Sequence, residues 1–300
     1  MKLENLAAIT VTFEPKVSDG RLARQIRQLQ GQVLVHLIVD NGGDIAGHLP
    51  KLIESEAGSQ GSVMYVPLPE NVGYGKAVNI ALKKLLSRCS PDWVLLLDQD
   101  TNFDSDSFRS LHQELAGIAS QSGIGLIGFN YRTHYLNRTV LKNSSGKPKQ
   151  VRDMITSGSL IPSSVLASFP LDEDLYLYGV DAEYTRRLRR HGLRVLVLSG
   201  AVIDHVEGKM RKVGSASRWY LDPYRFFYVS RNSWVVFARY HDPKPLVYLV
   251  YAMFMNLLAW ESPVETARFT LLGVISFLRG ERAGPLPSRY RPSGQETHPT

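Results

Sequence analysis

The chain has 300 residues, one cysteine, 35 Lys+Arg against 28 Asp+Glu, and 44% hydrophobic against 21% charged residues. This composition excludes a disordered or fibrous protein, and the length suffices to bury the core of one large α/β domain or two modest ones. The lone Cys89 excludes an internal disulfide framework and a cysteine-based zinc centre, so a bound metal would have to be held by carboxylates and histidine.

Met1 to Thr10 lacks the apolar h-region and small-residue cleavage site of a secretory signal, which predicts a cytoplasmic protein. Leu6 to Phe13 reads as a buried strand stopped by Glu14-Pro15, and Arg21 to Gln30 carries Leu22, Ile26 and Leu29 at helical spacing. Val33 to Val39 is a second strand, closed by Asp40-Asn41-Gly42-Gly43, and a helix follows around Leu49 to Glu56. A third strand at Val63 to Val66, a helix from Gly75 to Leu86 and a fourth strand at Trp93 to Leu97 complete the alternation. Strand and helix units of this length predict a parallel sheet with helices on both faces.

Beyond it the sequence predicts a helix near Ser107 to Ser120, strands at Ile124 to Phe129 and Met154 to Ile161, a polar helix Asp181 to His191 stopped by Gly192, and a strand Leu193 to Leu198. Residues 207–300 hold 13 Lys+Arg and 7 Asp+Glu, so +6 of the total +7 sits there and an anionic partner is expected. Leu246 to Trp260 is apolar but short for a spanning helix. Ala267, Leu271, Val274, Ile275 and Leu278 then share one helical face, which suits either a membrane interface or a buried helix pair. Gly280 to Thr300 reads as a tail.

In open α/β sheets ligands bind outside the carboxyl ends of the strands. Asp98-Gln99-Asp100 directly follows the fourth strand, where two carboxylates can hold a divalent cation and the phosphates it binds. The same D-x-D spacing recurs at Asp104/Asp106, read as a helix start, and at Asp172/Asp174, read as a solvated loop. Asp40 suits either a nucleoside contact or the capping of its own turn. Gly73 to Val78 lacks the third glycine of a dinucleotide fingerprint, and no P-loop occurs. Asn71 to Asn79 nonetheless brings two glycines and Lys76 to a helix start, favourable for a phosphate. Asp181 and Glu183 open a helix beside Tyr176, Tyr178 and Tyr184, a mixture suited to a carboxylate base with a sugar-stacking platform.

Taken in order, VTFEP (Val11 to Pro15), VDNGG (Val39 to Gly43), ENVGYGKAVN (Glu70 to Asn79), LLLDQD (Leu95 to Asp100), VDAEYTRRLRRHG (Val180 to Gly192), DHVEG (Asp204 to Gly208) and YRFFYVSRN (Tyr224 to Asn232) resemble the GT-A glycosyltransferases of family 2. Within them the chain looks most like the bacterial rhamnosyltransferases. The resemblance implies a GT-A fold: a mostly parallel, Rossmann-like sheet flanked by helices, with a C-terminal helical extension. It divides the chain into a catalytic domain, 1–240, with a nucleotide-sugar half (about 1–105) and an acceptor half (about 106–240), then apolar helices (241–280) and a tail (281–300). It implies that Asp40 reads the nucleotide base, that Thr12, Glu14, Asn71, Gly73, Asn79 and Gln99 line the nucleotide sugar, and that Asp98, Asp100 and His205 hold Mg²⁺ or Mn²⁺. Asp181 would be the catalytic base. Glu14 departs from the Asn that follows the aromatic residue in many relatives.

The implied reaction is inverting transfer of L-rhamnose from dTDP-L-rhamnose to a glycan or glycolipid acceptor at the cytoplasmic face of the inner membrane, with peripheral membrane contact and no nucleic acid partner. Three alternatives stay open at this point. They are a galactofuranosyl- or hexosyltransferase using a UDP-sugar, a basic membrane-surface or nucleic-acid-binding protein, and a sugar-nucleotide nucleotidyltransferase.

Overall fold

The computed structural model describes residues 5–14, 20–44, 47–57, 62–116, 118, 122–133, 138–139, 147–205 and 208–286. For Ala116, Thr133, Arg138 and His205 it describes the backbone alone. The expected tail beyond residue 286 lies outside the described residues.

In chain order the elements are β1 (Leu6–Thr12), α1 (Arg21–Leu29), β2 (Val35–Asp40), α2 (His48–Ala57), β3 (Val63–Pro67), α3 (Tyr74–Leu86), β4 (Trp93–Asp98), β5 (Asn102–Phe103), α4 (Ser107–Ala116), β6 (Ile124–Thr133) and β7 (Arg138–Thr139). There follow β8 (Lys149–Gln150), β9 (Ser159–Pro162), α5 (Ser163–Ser168), α6 (Val180–Arg190), β10 (Arg194–His205), β11 (Lys209–Val213), β12 (Ala216–Tyr220), α7 (Arg225–Tyr240), α8 (Lys244–Leu258) and α9 (Pro263–Leu278). The strands of the main sheet run in the order β3-β2-β1-β4-β9-β6-β10-β5. The first four are mutually parallel, as the alternating pattern predicts, whereas β9 is antiparallel to both neighbours and β6 is parallel to β10.

The central strands β1, β2 and β4 are mainly apolar and almost wholly buried because both faces are covered. On one face Leu6 and Ala8 of β1 and Leu95 and Leu97 of β4 join Leu111 and Leu115 of α4, Phe129 of β6 and Ile203 of β10 in one buried cluster. Leu22 and Ile26 of α1 pack with Leu49 and Ile53 of α2 on Ile38 of β2. Strand order reverses at β1, with β2 on one side and β4 on the other, and such a switch point leaves a crevice at the carboxyl ends. Register places Thr12 beside Asp40 and Val11 beside Asp98 at that edge.

The chain divides into two compact units. One contains Met1–Glu173 with Asp181–Glu207, the other Asp174–Val180 with Gly208–Thr300. The first unit contains the whole of the main sheet. In the second, the β11–β12 hairpin lies along α8, with Trp219 stacked on Tyr251, and Asn256 of α8 exchanges hydrogen bonds with the backbone of Leu221.

Two differences from the sequence expectations have a local cause. The expected strand from Met154 begins only at Ser159, because Thr156 and Ser157 turn their hydroxyls onto Asp181 and Asp98 instead of entering a ladder. Tyr184 and Tyr176 form no exposed stacking platform: Tyr184 is fully buried in α6, and Tyr176 is buried with its ring stacked on Tyr228. The large aromatic surfaces are worth more in these cores than in water.

Candidate active site

Three loops meet at the carboxyl edge of β1, β2 and β3, and glycines let them touch backbone to backbone. A Cβ on Gly43 would lie 2.2 Å from the Glu14 amide nitrogen, and one on Gly42 would lie 2.4 Å from the Glu70 carbonyl carbon. Gly43→Ala is therefore expected to force these loops apart, destabilising the protein by about 1–3 kcal/mol as other overpacked sites do, which a thermal unfolding series would measure.

Asp40 is buried, and its carboxylate closes the turn after β2. Oδ1 accepts from the amides of Gly43 (2.9 Å) and Asp44 (3.2 Å), and Oδ2 accepts from the Tyr65 hydroxyl (3.0 Å). Burial, followed by that bond and the charge of Asp40, pushes the Tyr65 phenol up to about 12. Of the two roles the sequence allows for Asp40, turn capping is the one these bonds perform. Asn41 donates to Asn71 Oδ1 (3.0 Å), which also accepts from the Gly73 amide, so the loops after β2 and β3 form one surface at the start of α3.

Two other expected donor contacts are inward-facing. Thr12 is fully buried and donates to the Val39 carbonyl (3.0 Å). Asn79, also buried, exchanges bonds with the backbone of Leu171 and donates to Glu173 Oε1 (3.0 Å), so it fixes the 171–173 segment. Glu14 is exposed at the end of the first loop, in a left-handed backbone conformation (φ 46°). Its position is held by Gln99: Oε1 accepts from the Phe13 amide (2.9 Å) while Nε2 donates to the Phe13 carbonyl (3.1 Å).

Asp98 and Asp100 are partly exposed at the end of β4, in the crevice beside β1. The second D-x-D copy is structural: Asp104 pairs with Arg132 (3.0 Å), whose other nitrogen pairs with Asp204 (2.7 Å). This pairing and the β5–β10 ladder, which sets Asp204 opposite Asn102, bring the end of β10 alongside the carboxylate loop. The backbone of His205 follows there; its side chain lies outside the described residues. Among the described residues no three His, Cys, Asp or Glu side chains converge to hold a metal by themselves. Two hard carboxylates at a strand-end edge do suit Mg²⁺ or Mn²⁺, which is commonly held by one or two carboxylates with substrate phosphates and water.

Asp181 stands in the first turn of α6, where the helix dipole favours a carboxylate. Its Oδ1 accepts from both the amide (2.8 Å) and the hydroxyl (2.5 Å) of Thr156, and among the described residues no donor reaches Oδ2. The neighbouring Glu183 is committed elsewhere, buried in an ion pair with Arg187 (3.0 Å). Arg186 ties the same helix to Asp153 (2.9 Å), fixing α6 against the loop that carries Thr156. The Tyr74 hydroxyl lies 3.2 Å from Thr156 Oγ1. Burial, then the charges of Asp98 and Asp181, hold this phenol well above its ordinary range. The Tyr74 hydroxyl is thus kept protonated beside Thr156, and the two carboxylates whose charges it feels are 83 positions apart in the sequence.

Comparison with known proteins bears on what such a site is for. No protein-family model matches the chain. It is 22% identical over 297 residues to the dTDP-rhamnosyl transferase RfbF of Shigella flexneri, covering 93% of this chain and 97% of that protein. Among solved structures it is similar to GalNAc-T7 with UDP, GalNAc and Mn²⁺ (TM-score 0.60, 14% identity, 93% of this chain and 56% of that one). It is also similar to residues 1–349 of S. aureus TarS in complex with UDP-GlcNAc (TM-score 0.54, 15% identity, 95% and 82%). The chain has the GT-A fold of these glycosyltransferases. It spans little more than half the length of GalNAc-T7, whose remaining chain has no counterpart in the match.

Three residues of this candidate site escape a reading of the sequence: Tyr74, Thr156 and Ser157. Tyr74 lies inside the glycine-rich segment that the sequence singles out, but between two glycines a tyrosine gives no sign of which groups it meets. Thr156 and Ser157 lie in an unremarked TSGS run, and only the fold shows that one supports Asp181 and the other accepts from the amide of Asp98 (3.0 Å).

Proposed function

We propose that the chain is an inverting, metal-dependent rhamnosyltransferase that moves L-rhamnose from dTDP-L-rhamnose to a lipid-linked or cell-surface glycan. The observation that carries this is the Thr156–Ser157 pair, whose adjacent residues hold the Asp181 carboxylate (2.8 Å from the Thr156 amide) and accept from the Asp98 amide (3.0 Å). Likeness to RfbF over nearly the full length of both proteins supports the donor.

The chemistry divides between the two carboxylate groups. Asp98 and Asp100 present hard oxygens where the diphosphate of a donor would lie. A divalent cation bound there supplies neutralisation of the charge that develops on the departing nucleoside diphosphate. Asp181, oriented through Oδ1 by Thr156, is left with Oδ2 to take the proton of an acceptor hydroxyl as that oxygen attacks the anomeric carbon. A single displacement needs no second carboxylate as nucleophile, so the anomeric configuration inverts. The 13–14, 42–44 and 70–73 loops form the nucleoside side of the crevice.

Turnover of dTDP-L-rhamnose against UDP-hexoses and UDP-galactofuranose, with Mg²⁺ or Mn²⁺ and after EDTA, tests the reading. We expect transfer from the dTDP-sugar, loss of activity on chelation and recovery on adding Mn²⁺. Preference for a UDP-sugar would move the assignment to another hexosyltransferase, and no turnover of any nucleotide sugar would refute the proposal.

The acceptor side involves a lipid surface. Val247, Val250, Tyr251, Phe254 and Leu257 are exposed on α8, and at 100° per residue they fall within about 120° of its circumference. Trp260, at the turn into α9, is 73% exposed. No helix of the described residues is long and apolar enough to cross a membrane. An apolar stripe of this kind in a unit of surplus positive charge supports interfacial docking, where each basic residue near an anionic surface contributes about 1 kcal/mol. The protein is expected to sediment with phosphatidylglycerol vesicles in a salt-sensitive manner, and Phe254→Glu to release it. Equal recovery with and without vesicles would discard this part of the proposal.

A further inference from the structure

We propose that Gln25 and Gln28 of α1 are positioning residues of the Asp98–Phe103 loop, holding it in its cation-ready shape before any donor or metal arrives. This inference rests on the glycosyltransferase reading of that loop and assigns a role in it to a helix that touches no substrate.

The loop leaves β4 at Asp98, turns back through a bond from the Thr101 amide to the Asp98 carbonyl, and enters the two-residue strand β5. A strand so short at the end of a sheet cannot hold its own place. Gln28 supplies the missing neighbour. Its Oε1 accepts from the Phe103 amide (3.1 Å) and its Nε2 donates to the Phe103 carbonyl (2.7 Å), so one side-chain amide stands in for a peptide of the next strand. One turn earlier on the helix, Gln25 spans the loop's base: Nε2 donates to the carbonyls of Asp98 (2.9 Å) and Thr101 (2.6 Å).

Gln25 has no freedom to turn away. It is fully buried, and its Oε1 accepts from Thr10 Oγ1 (2.7 Å) in the middle of β1. Thr10 has one hydroxyl proton, so the His36 ring 2.8 Å from the same oxygen must present Nε2–H to it. Burial, which keeps His36 neutral by lowering it to about 3, is compatible with that tautomer. The chain from His36 through Thr10 and Gln25 to the loop fixes the amide with its nitrogen toward the two carbonyls. A reversed amide would set its oxygen against both carbonyl oxygens.

Loss of outer partners that orient metal ligands typically lowers metal affinity about 10- to 100-fold. The test uses the full chain carrying Gln28→Ala, at a half-buried position, and Gln25→Leu, at the buried one. Free Mn²⁺ is titrated by electron paramagnetic resonance with dTDP present, backbone hydrogen exchange of the 98–106 region is followed in metal-free protein, and donor kinetics are recorded over a range of Mn²⁺. For Gln28→Ala we expect faster exchange at Phe103, Mn²⁺ binding weakened about 10-fold or more, and an equal rise in the Mn²⁺ activation constant, with turnover at saturating Mn²⁺ largely kept. A merely structural role would lower the amount of active enzyme and leave both constants unchanged. If wild-type protein binds Mn²⁺ with dTDP and folded Gln28→Ala binds it equally well, the inference is overturned by itself, whatever becomes of Gln25→Leu. If wild-type protein binds no Mn²⁺ with any nucleoside diphosphate, the functional reading falls and this inference with it.

Discussion

Asp181→Asn is expected to lower turnover about 10²- to 10⁴-fold while leaving the KM for the nucleotide sugar close to that of the wild type. The amide keeps an oxygen that can accept from the amide and hydroxyl of Thr156, so the start of α6 should retain its geometry. What disappears is the basic lone pair for the acceptor proton, and the loss therefore falls on the chemical step. Donor hydrolysis, in which water replaces the acceptor, provides a second measure and should fall too. Initial rates at saturating donor, with circular dichroism to verify folding, would check the expectation. An Asn variant with wild-type turnover would remove Asp181 from the mechanism.

Asp98→Asn and Asp100→Asn are expected to fail differently. Each removes one negative charge from the edge where a cation would lie, and a cation neutralising a departing diphosphate contributes several kcal/mol to the transition state. Activity should drop on the order of 10²-fold or more at low Mn²⁺ and recover in part when the metal is raised, whereas Asp181→Asn should not recover. Titrating Mn²⁺ against rate for the three variants separates the two carboxylate roles in one experiment. Asp104→Asn is a useful contrast: its carboxylate pairs with Arg132, so the variant should retain the metal dependence of the wild type.

The βαβ half of the fold is legible because each strand is a short apolar run ended by a turn signal, and because both faces of β1 and β4 are buried. The position of Asp98 at a strand end follows from the same pattern, and the structure places it there. The supports of the site are less legible. Gln25 and Asp98 are 73 residues apart, and a glutamine on an amphipathic helix carries no mark that its amide will cap a distant turn. Glu183 and Asp181 look equivalent in the sequence; only the packing of α6, which turns one toward Arg187 and the other toward Thr156, separates them. Tyr176 and Tyr184 mislead because aromatic residues beside carboxylates suit a sugar platform and a buried core equally well, and both are buried. The β11–β12 hairpin gives little signal because β11 is basic and mostly exposed and neither strand is a sustained apolar run.

The seven residues Asp174–Val180, directly before Asp181, belong with the C-terminal unit and are kept in an unusual backbone path, with positive φ at Tyr176, Tyr178 and Gly179. Asn232 of α7 spans this path with one amide, donating to the carbonyls of Leu175 (2.7 Å), Leu177 (2.8 Å) and Tyr178 (2.8 Å). A shortened gene product ending before α7 would therefore encode every side chain named in the crevice and yet lack the anchor of the peptide leading into Asp181. Expression designs intended to improve solubility by trimming the apolar helices should stop after α7, not before it.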